Sequence, residues 1–220
     1  AWYHKLSSTL RAHGFKRSEA DHTLFTLRSA NGLVVVLIYV DDIIISGDDK
    51  EGIDTTKALL NTSFDIKDLG ALKYFLGIEI SRSPEGLFLS QRKYTLDLLH
   101  ETGKHGAKPV STPLEEGYQV KRKGEMKPTP NAPATKLADP YADPGRYRRL
   151  VGKLIYLKIT RPDLCYAVNQ VSQHMQAPTN FDWNTVERIM CYLKGSPGQG
   201  VWMGKNNSTE IVGYCDADYA

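Results

Sequence analysis

Apolar residues at the start of the chain follow a helical period. Trp2, Leu6 and Leu10 recur every four residues, which predicts a helix from Trp2 to Ala12 that ends before Gly14. A short aliphatic and aromatic segment, Leu24–Leu27, then predicts a strand. The pattern therefore changes from a helical to an extended period within the first thirty residues.

A pair of aliphatic runs interrupted by acids is the most informative pattern in the chain. Strands are predicted over Leu33–Val40, which follows the hairpin signal Asn31-Gly32, and over Ile43–Ser46. Asp41 and Asp42 lie between these strands, at a predicted hairpin tip. Acids at the end of buried strands cost free energy unless a cation meets them, and magnesium prefers carboxylates plus substrate phosphates. A solvated Asp-Asp turn is the alternative that the residue types leave open.

Shorter elements are predicted between this hairpin and residue 103. They are a helix over Asp54–Leu60, a strand over Phe64–Lys67, an alternating strand over Tyr74–Ile80, its hairpin partner Leu87–Leu89, and a helix over Gln91–Glu101 capped by Ser90.

Residues 104–146 differ in composition, since they hold seven of the eleven prolines and show no periodicity. This segment predicts a mobile linker. Three helices are predicted after it, with apolar faces at the following positions: Tyr147, Leu150, Val151, Leu154 and Ile155; then Leu164, Ala167, Val168, Val171 and Met175 after a start at Thr160–Asp163; then Trp183, Val186, Ile189, Met190 and Leu193. The strands Val201–Met203 and Ile211–Cys215 predict a final hairpin around Asn206-Asn207.

Composition narrows the class of protein. A hydrophobic content of 41% and a charged content of 24% are typical of a globular protein. The longest apolar run, Leu33–Val40, is too short to cross a bilayer, and no signal peptide pattern opens the chain. We therefore expect an intracellular protein that is neither secreted nor membrane-bound. The three cysteines are far apart and show no zinc-ligand spacing.

Charge is unevenly distributed although the net charge is only +3. Acidic residues slightly outnumber basic ones up to residue 103, and basic residues outnumber acidic ones after it. That order fits a metal site followed by a phosphate-contacting region, and solvated surface charge fits it as well.

Seven motifs stand in one order along the chain. They are Tyr39–Gly47, Phe64–Gly70, Tyr74–Ile80, Ser90–Tyr94, Tyr147–Leu157, Thr160–Leu164 and Gly213–Asp218. In this order they resemble the reverse transcriptase of copia-type retrotransposons, and the resemblance covers the chain from Trp2 to Tyr219.

The resemblance implies a role for several residues. Asp41 and Asp42 resemble the pair that binds Mg²⁺ (or Mn²⁺), and Tyr39, placed on the face of Asp41, would contact the primer or template backbone. Lys67 resembles a lysine that protonates the pyrophosphate leaving group. A second group would contact nucleic acid: Phe75, Leu76 and Gly77 as the primer grip, and Arg92 and Lys93 as phosphate contacts. The implied partners are an RNA or DNA template-primer and deoxynucleoside triphosphates.

A second metal site is implied near the end of the chain. Asp216 resembles the first carboxylate of the RNase H site that follows reverse transcriptase in this family. In the family another metal-binding Asp lies upstream, in a segment that would precede Ala1. We therefore expect the chain to be an excerpt of a longer polypeptide, without polymerase activity by itself.

The implied fold is α+β. It comprises a right-hand polymerase palm, an antiparallel sheet with helices on one face, over residues 1–81. The grip hairpin end, thumb helix and linker follow over 82–146, then a helical connection over 147–198 and the first strands of an RNase H-like domain over 199–220.

Two rival functions remain. A decayed, non-catalytic remnant would at most bind nucleic acid through its basic residues. A metal-dependent phosphotransferase unrelated to polymerases would leave the later motifs unexplained. An active enzyme of this family would work in a cytoplasmic particle or in the nucleus.

Overall fold

A computed structural model describes residues 2–118, 139–206, 210, 212 and 213. Its contacts divide the chain into two units, Ala1–Leu72 and Lys73–Ala220. Each unit combines helices with one four-stranded antiparallel sheet. The α+β class is therefore confirmed.

The first unit is an antiparallel meander with two helices. Its elements are α1 (Trp2–Ala12), β1 (Lys16–Arg17), β2 (Leu24–Ser29), β3 (Gly32–Tyr39), β4 (Asp42–Gly47) and α2 (Lys50–Ser63). The strands lie in chain order. Alternate residues of β3 point to the core, where they pack with apolar residues of α1, α2 and β2. The core consists of Leu6, Leu10, Phe15, Phe25, Val34, Val36, Ile38 and Leu60.

Several predicted bounds in this unit change. The hairpin before β3 pairs Ser29 with Gly32, so its loop is Ala30-Asn31 rather than Asn31-Gly32. Helix α2 begins four residues earlier than predicted, at Lys50, because Asp49 caps it by accepting a hydrogen bond from the Gly52 amide at 2.8 Å. The Asp49 carboxylate also accepts a hydrogen bond from the Ser29 hydroxyl at 2.6 Å, and this bond connects the helix to β2.

The strand predicted over residues 64–67 is wrong. Phe64 and Ile66 are half-buried and pack against the core, but the segment is irregular and forms no ladder with a neighbouring strand. The alternation of apolar and polar residues in this segment therefore reflects two side chains, Phe64 and Ile66, that pack on the core without any strand pairing.

The second unit combines its sheet with four α-helices among the residues that the structure describes. Its elements are β5 (Tyr74–Phe75), β6 (Ile78–Ser83), β7 (Gly86–Ser90), α3 (Arg92–Glu101), α4 (Pro144–Leu157), a 3₁₀ turn (Pro162–Leu164), α5 (Cys165–Ser172), α6 (Asn180–Gly195) and β8 (Gly200–Gly204). The sheet order is β5-β6-β7-β8. Helices α3 to α6 share one apolar core that includes Tyr147, Val151, Leu154, Val168 and Ile189.

Helix boundaries in this unit also differ from the predictions. Helix α4 begins at Pro144 rather than Tyr147, because Asp143 caps it by accepting from the Arg146 amide at 2.8 Å. Ile155 is 39% exposed, and Leu157 takes its place in the core. Ser90 does not cap α3: the Glu79 carboxylate accepts a hydrogen bond from the Lys93 amide at 2.7 Å instead.

The helix start predicted at Thr160–Asp163 is present, since a 3₁₀ turn begins at Pro162, but no side chain caps it. The buried residues Thr160 and Arg161 form a polar junction there instead. Thr160 donates its hydroxyl to the Gln91 side chain at 2.9 Å. The Arg161 side chain is 1% exposed and donates to both carboxylate oxygens of Asp163, at 3.0 and 2.8 Å, and to the Ser196 carbonyl at 2.8 Å. These bonds join the start of α3 and the end of α6 to the segment between α4 and α5.

Strand β8 occupies an unexpected place. It pairs with β7 along its whole length, from Ser90–Gly200 to Gly86–Gly204. Its predicted hairpin partner, Ile211–Cys215, lies largely outside the described residues, as do residues 119–138 of the predicted linker. The predicted boundary at residue 81 falls inside β6, whereas the contacts divide the chain after Leu72. The palm, thumb and RNase H labels stay predictions.

None of the helices in the described ranges has the length and apolar character that a membrane crossing requires.

Candidate functional site

The acidic hairpin of the first unit has a two-residue loop. Tyr39 of β3 pairs with Asp42 of β4, so Val40 and Asp41 make the reversal. Val40 has a φ of +50°, a left-handed conformation that a β-branched residue rarely adopts. Its side chain is 71% exposed, and Tyr39 is 50% exposed. The loop therefore projects from the end of two core strands.

Four aspartates lie at the two ends of this hairpin, and they differ in the hydrogen bonds that their side chains accept. Asp48 accepts a hydrogen bond from the Leu33 amide at 2.5 Å. Asp49 caps α2, and the hydroxyl of Ser29 together with the Gly52 amide lowers the pKa of its carboxyl. By contrast, the exposed side chains of Asp41 and Asp42 have no hydrogen bond or ion pair within the described residues. The tip carboxylates are therefore free to meet a cation from solution.

The strand alternation that would place Asp41 on the face of Tyr39 does not continue through the tip. Directly opposed residues of an antiparallel pair point to the same face, and the residue opposite Tyr39 is Asp42. Asp41 belongs to the loop, where strand alternation no longer applies. The shared face is thus formed by Tyr39 and Asp42, with Asp41 at the turn beside them.

The donor chemistry of the tip suits a hard divalent cation, since both side chains offer carboxylate oxygens. Within the described residues, however, no group of three or more His, Cys, Asp or Glu side chains could hold a metal. Among the described residues the hairpin tip therefore offers two carboxylates and no third candidate ligand beside them. Magnesium binding at Asp41 and Asp42 stays a prediction that requires a further ligand.

Lys67 lies in the irregular segment after α2, and its side chain is exposed. It forms no ion pair within the described part of the chain. The neighbouring Asp68 instead pairs with Lys57 at 3.1 Å. Hydrogen bonds from the Gly70 amide and from Lys57 lower the pKa of Asp68. The local charge arrangement thus involves Asp68 and leaves the Lys67 ammonium exposed to solvent.

The predicted primer grip is a tight turn of the second unit. Phe75 pairs with Ile78, so the continuous strand predicted over Tyr74–Ile80 is wrong, and Leu76-Gly77 forms a two-residue reversal. Both residues have positive φ, +49° and +82°, as in the hairpin turns that match the twist of strands. We call these two residues the Leu76–Gly77 turn. The hydroxyl of Tyr156 on α4 donates to the Leu76 carbonyl.

Arg92 and Lys93 open helix α3 and are exposed. The Lys93 ammonium bonds to Asp97 at 2.7 Å, and that hydrogen bond raises the pKa of Lys93. The Arg92 stem lies beside Gly198, where an added Cβ would come within 3.4 Å of it. Arg92 therefore keeps a guanidinium without an acidic partner among the described residues, whereas the Lys93 charge is partly neutralised.

The structure groups the predicted residues in two places. Tyr39, Asp41 and Asp42 lie together at one hairpin tip of the first unit. In the second unit, the hairpin containing residues 75–77 is bonded to α3, which carries Arg92 and Lys93, through Glu79. Asp216 lies outside the described residues.

The sequence does not predict two of the contacting residues, Glu79 and Tyr156. They lie within the motifs Tyr74–Ile80 and Tyr147–Leu157, whose patterns assign a contact to neither. The one signal in the sequence is that each stands inside a motif that the resemblance covers.

Comparison with known proteins gives one family model. The model described as reverse transcriptase (RNA-dependent DNA polymerase) matches residues 1–116. No solved structure matches the chain.

Relatives extend the similarity over the whole chain. The retrovirus-related Pol polyprotein from transposon RE2 of Arabidopsis thaliana is 43% identical over 100% of this chain. The one from transposon TNT 1-94 of Nicotiana tabacum is 36% identical, also over 100%. This chain spans 14% and 16% of their lengths. An uncharacterized mitochondrial protein of Arabidopsis thaliana is 39% identical over 84% of this chain and 71% of its own length.

Proposed function

The chain belongs to the reverse transcriptase (RNA-dependent DNA polymerase) family, and we propose that it is part of the polymerase of a copia-type retrotransposon Pol polyprotein. That enzyme would add deoxynucleotides to a primer paired with an RNA or DNA template. Because these nucleic acids are made inside the cell, the activity would belong in a cytoplasmic particle or in the nucleus.

One observation carries the proposal most directly. A strained two-residue loop on two core strands presents Asp41 and Asp42 with no acceptor role inside the described structure. Carboxylates kept exposed in this way are available for a cation and its bound phosphates. Bound magnesium would activate the primer 3′ hydroxyl and stabilise charge on the transferring phosphoryl group.

The other residues would bind and position the substrates. Tyr39 shares the face of Asp42 and would contact the nucleic acid backbone beside the metal site. The turn after Phe75 would hold the primer terminus, with the Leu76 side chain, which is 37% exposed, turned outward. Lys67 would supply a proton to the pyrophosphate leaving group.

Asp41→Asn and Asp42→Asn test the carboxylates in a longer chain that carries the upstream palm segment. The assay is extension of a DNA primer on an RNA template. We expect each variant to lose about a hundredfold or more of the extension rate, because the reacting groups are no longer positioned. Asp54→Asn is the matched control, because it makes the same carboxylate-to-carboxamide change at an exposed position of α2. It should extend the primer at the rate of the parent.

Two outcomes would count against the proposal. If Asp41→Asn extends as fast as its parent, the assignment of Asp41 is wrong. If the parent binds primer-template but never extends it, the chain is a decayed remnant.

Phosphate contacts are tested by the salt dependence of primer-template binding. Each lost contact should lower the slope of log K against log salt by about one. We expect a change of that size for Arg92→Ala and a smaller one for Lys93→Ala, since Asp97 already pairs with Lys93. Equal slopes in all three proteins would remove these residues from the interface.

A further inference from the structure

The Leu76–Gly77 turn has a backbone that must be held in place. Leu76 has a φ of +49°, and a branched residue keeps a left-handed conformation only where its surroundings hold it there. The adjacent strand β5 has two residues and contributes little ladder bonding. Beyond the short β5–β6 ladder, a contact from another element would add to what holds the turn.

Tyr156 supplies that contact from α4. Its hydroxyl donates a hydrogen bond to the carbonyl oxygen of Leu76. Its ring lies under the second turn residue: a Cβ on Gly77 would stand 3.7 Å from a ring carbon and 3.8 Å from the hydroxyl oxygen. One side chain thus bonds the first residue of the turn and packs against the second.

The ring of Tyr156 is itself fixed. It meets Tyr94 edge to face, with ring centroids 5.5 Å apart and planes at 73°, an arrangement that aromatic pairs favour. Tyr94, on α3, donates its hydroxyl to the Lys153 carbonyl of α4 at 3.3 Å. The orientation of the Tyr156 hydroxyl is therefore set by two helices.

Helix α4 provides a rigid base for this contact. One face of the helix, including Tyr147, Val151 and Leu154, is fully buried in the core of the second unit. The opposite side carries the half-buried Tyr156. A turn bonded to this helix keeps the position that the core imposes on the helix.

We propose that Tyr156 is a positioning residue for the Leu76–Gly77 turn: its hydroxyl fixes the backbone that presents the turn to a primer strand. The presentation to a primer rests on the proposed function, in which this turn holds the primer terminus. The proposed function assigns no role to the motif Tyr147–Leu157. The contact of Tyr156 gives this motif a role in positioning the turn.

Tyr156→Phe tests the role in the 220-residue chain, because it removes the hydroxyl and keeps the ring that packs on Tyr94. The matched control is Tyr3→Phe, which removes a tyrosine-to-carbonyl bond of the same kind, to His22 in the first unit. Amide hydrogen exchange is read by mass spectrometry with single-residue fragmentation, and melting temperatures are measured alongside.

We expect exchange at residues 76–78 to become about three- to tenfold faster in Tyr156→Phe, the factor that one net hydrogen bond provides. Exchange elsewhere should match the parent protein, residues 76–78 should keep the parent's exchange in Tyr3→Phe, and the melting temperatures of the two variants should agree. Unchanged exchange at residues 76–78 would overturn the proposal. Acceleration spread evenly over the second unit would overturn it too, since the hydroxyl would then support the whole unit rather than the turn.

A binding measurement separates this proposal from the proposed function. The probe is a fluorescent DNA primer annealed to an RNA template, tested with Tyr156→Phe, Leu76→Ala and the double variant. If the turn holds the primer through a fixed backbone, both single variants weaken binding and the double variant loses less than their sum. If exchange accelerates at the turn while Leu76→Ala binds normally, the primer role fails and the positioning role stands.

Discussion

Tyr39 and Asp42 are paired directly across the last rung of the β3–β4 hairpin. This pairing confines the chain reversal to Val40 and Asp41, and it gives Val40 a φ of +50°. The acidic tip is therefore short and strained, and its shape depends on the backbone of Val40 as well as on the two carboxylates.

Replacing Val40 isolates the strain of that backbone. Val40→Ala and Val40→Gly both remove a side chain that is 71% exposed, so little packing is lost in either. Only glycine accepts the positive φ without a Cβ penalty. We expect Val40→Gly to be more stable than Val40→Ala by about 1 kcal/mol in urea unfolding. Equal stabilities would mean that Val40 carries no strain.

Gly47, the last residue of β4, leaves no room for a side chain. A Cβ there would lie 1.9 Å from the Leu33 carbonyl oxygen, which is paired backbone that cannot move away cheaply. We expect Gly47→Ala to lower the free energy of unfolding by about 3 kcal/mol. Gly70→Ala is the control: φ is also positive at Gly70, but nothing lies within 4 Å of an added Cβ. Its cost should be about 1 kcal/mol, from conformation alone. Similar losses in the two variants would rule out the steric explanation.

Asp163 should make the second unit sensitive to acid. Burial alone would raise the pKa of Asp163, but hydrogen bonds from Arg161 and Tyr192 outweigh it and lower the pKa. A carboxyl with a lowered pKa contributes stability that is complete above its unfolded pKa of about 4 and disappears as the pH falls through the folded value. We expect Asp163→Asn to cost about 3 kcal/mol at pH 7, because it leaves the buried Arg161 charge unpaired.

The same variant should lose less stability than the parent between about pH 5 and pH 2, since its side chain no longer titrates. Asp97→Asn is the control, because it breaks an exposed pair with Lys93 that solvent screens and that contributes little to stability. Parallel stability curves for Asp163→Asn and the parent would show that the Arg161 junction does not depend on this carboxylate.

The start of α3 allows a test of which residue caps it. Glu79→Ala removes the acceptor of the Lys93 amide and should cost about 1 kcal/mol, as other lost caps do. Ser90→Ala should leave the helix start intact, since the Ser90 side chain makes no cap bond to it. Circular dichroism during urea unfolding measures both. A larger loss in Ser90→Ala than in Glu79→Ala would contradict the assignment.

Elements with a strong local period could be predicted from the sequence. Helix α1 has the predicted bounds, and β3 and β4 lie within one residue of theirs, because their apolar periods agree with what each element buries. The acidic tip was also predicted. Which aspartate shares a face with Tyr39 could not be, since the answer depends on a one-residue difference in where the loop begins.

Reversals with unusual backbone were harder to predict. The residues Tyr74–Ile80 alternate as a single strand would, yet Leu76 and Gly77 reverse the chain. The pattern of apolar residues gives no sign of a leucine with positive φ, because the contact that holds it comes from Tyr156, eighty residues later in the sequence. The local spacing of apolar residues carries no information about contacts between residues so far apart in the sequence.

The partner of a strand and the residue that caps a helix from a distance could not be predicted from the sequence either. Strand β8 shows its own extended character in the sequence, but nothing local indicates that it pairs with β7. The same holds for Glu79, whose carboxylate caps a helix that begins thirteen residues later. In both cases the element could be predicted and its neighbour could not.

The pairing of β7 with β8 has a consequence for synthesis of the protein. Ribosomes make β5, β6, β7 and α3 first, and residues 102–199 must follow before Gly200–Gly204 emerges to complete the sheet. Until then β7 has an unpaired edge, which is a site for mispairing with other nascent chains. Strand β8, which is translated after the other three strands of its sheet, thus completes the sheet that carries the Leu76–Gly77 turn, and a chain released before Gly204 would leave that sheet open.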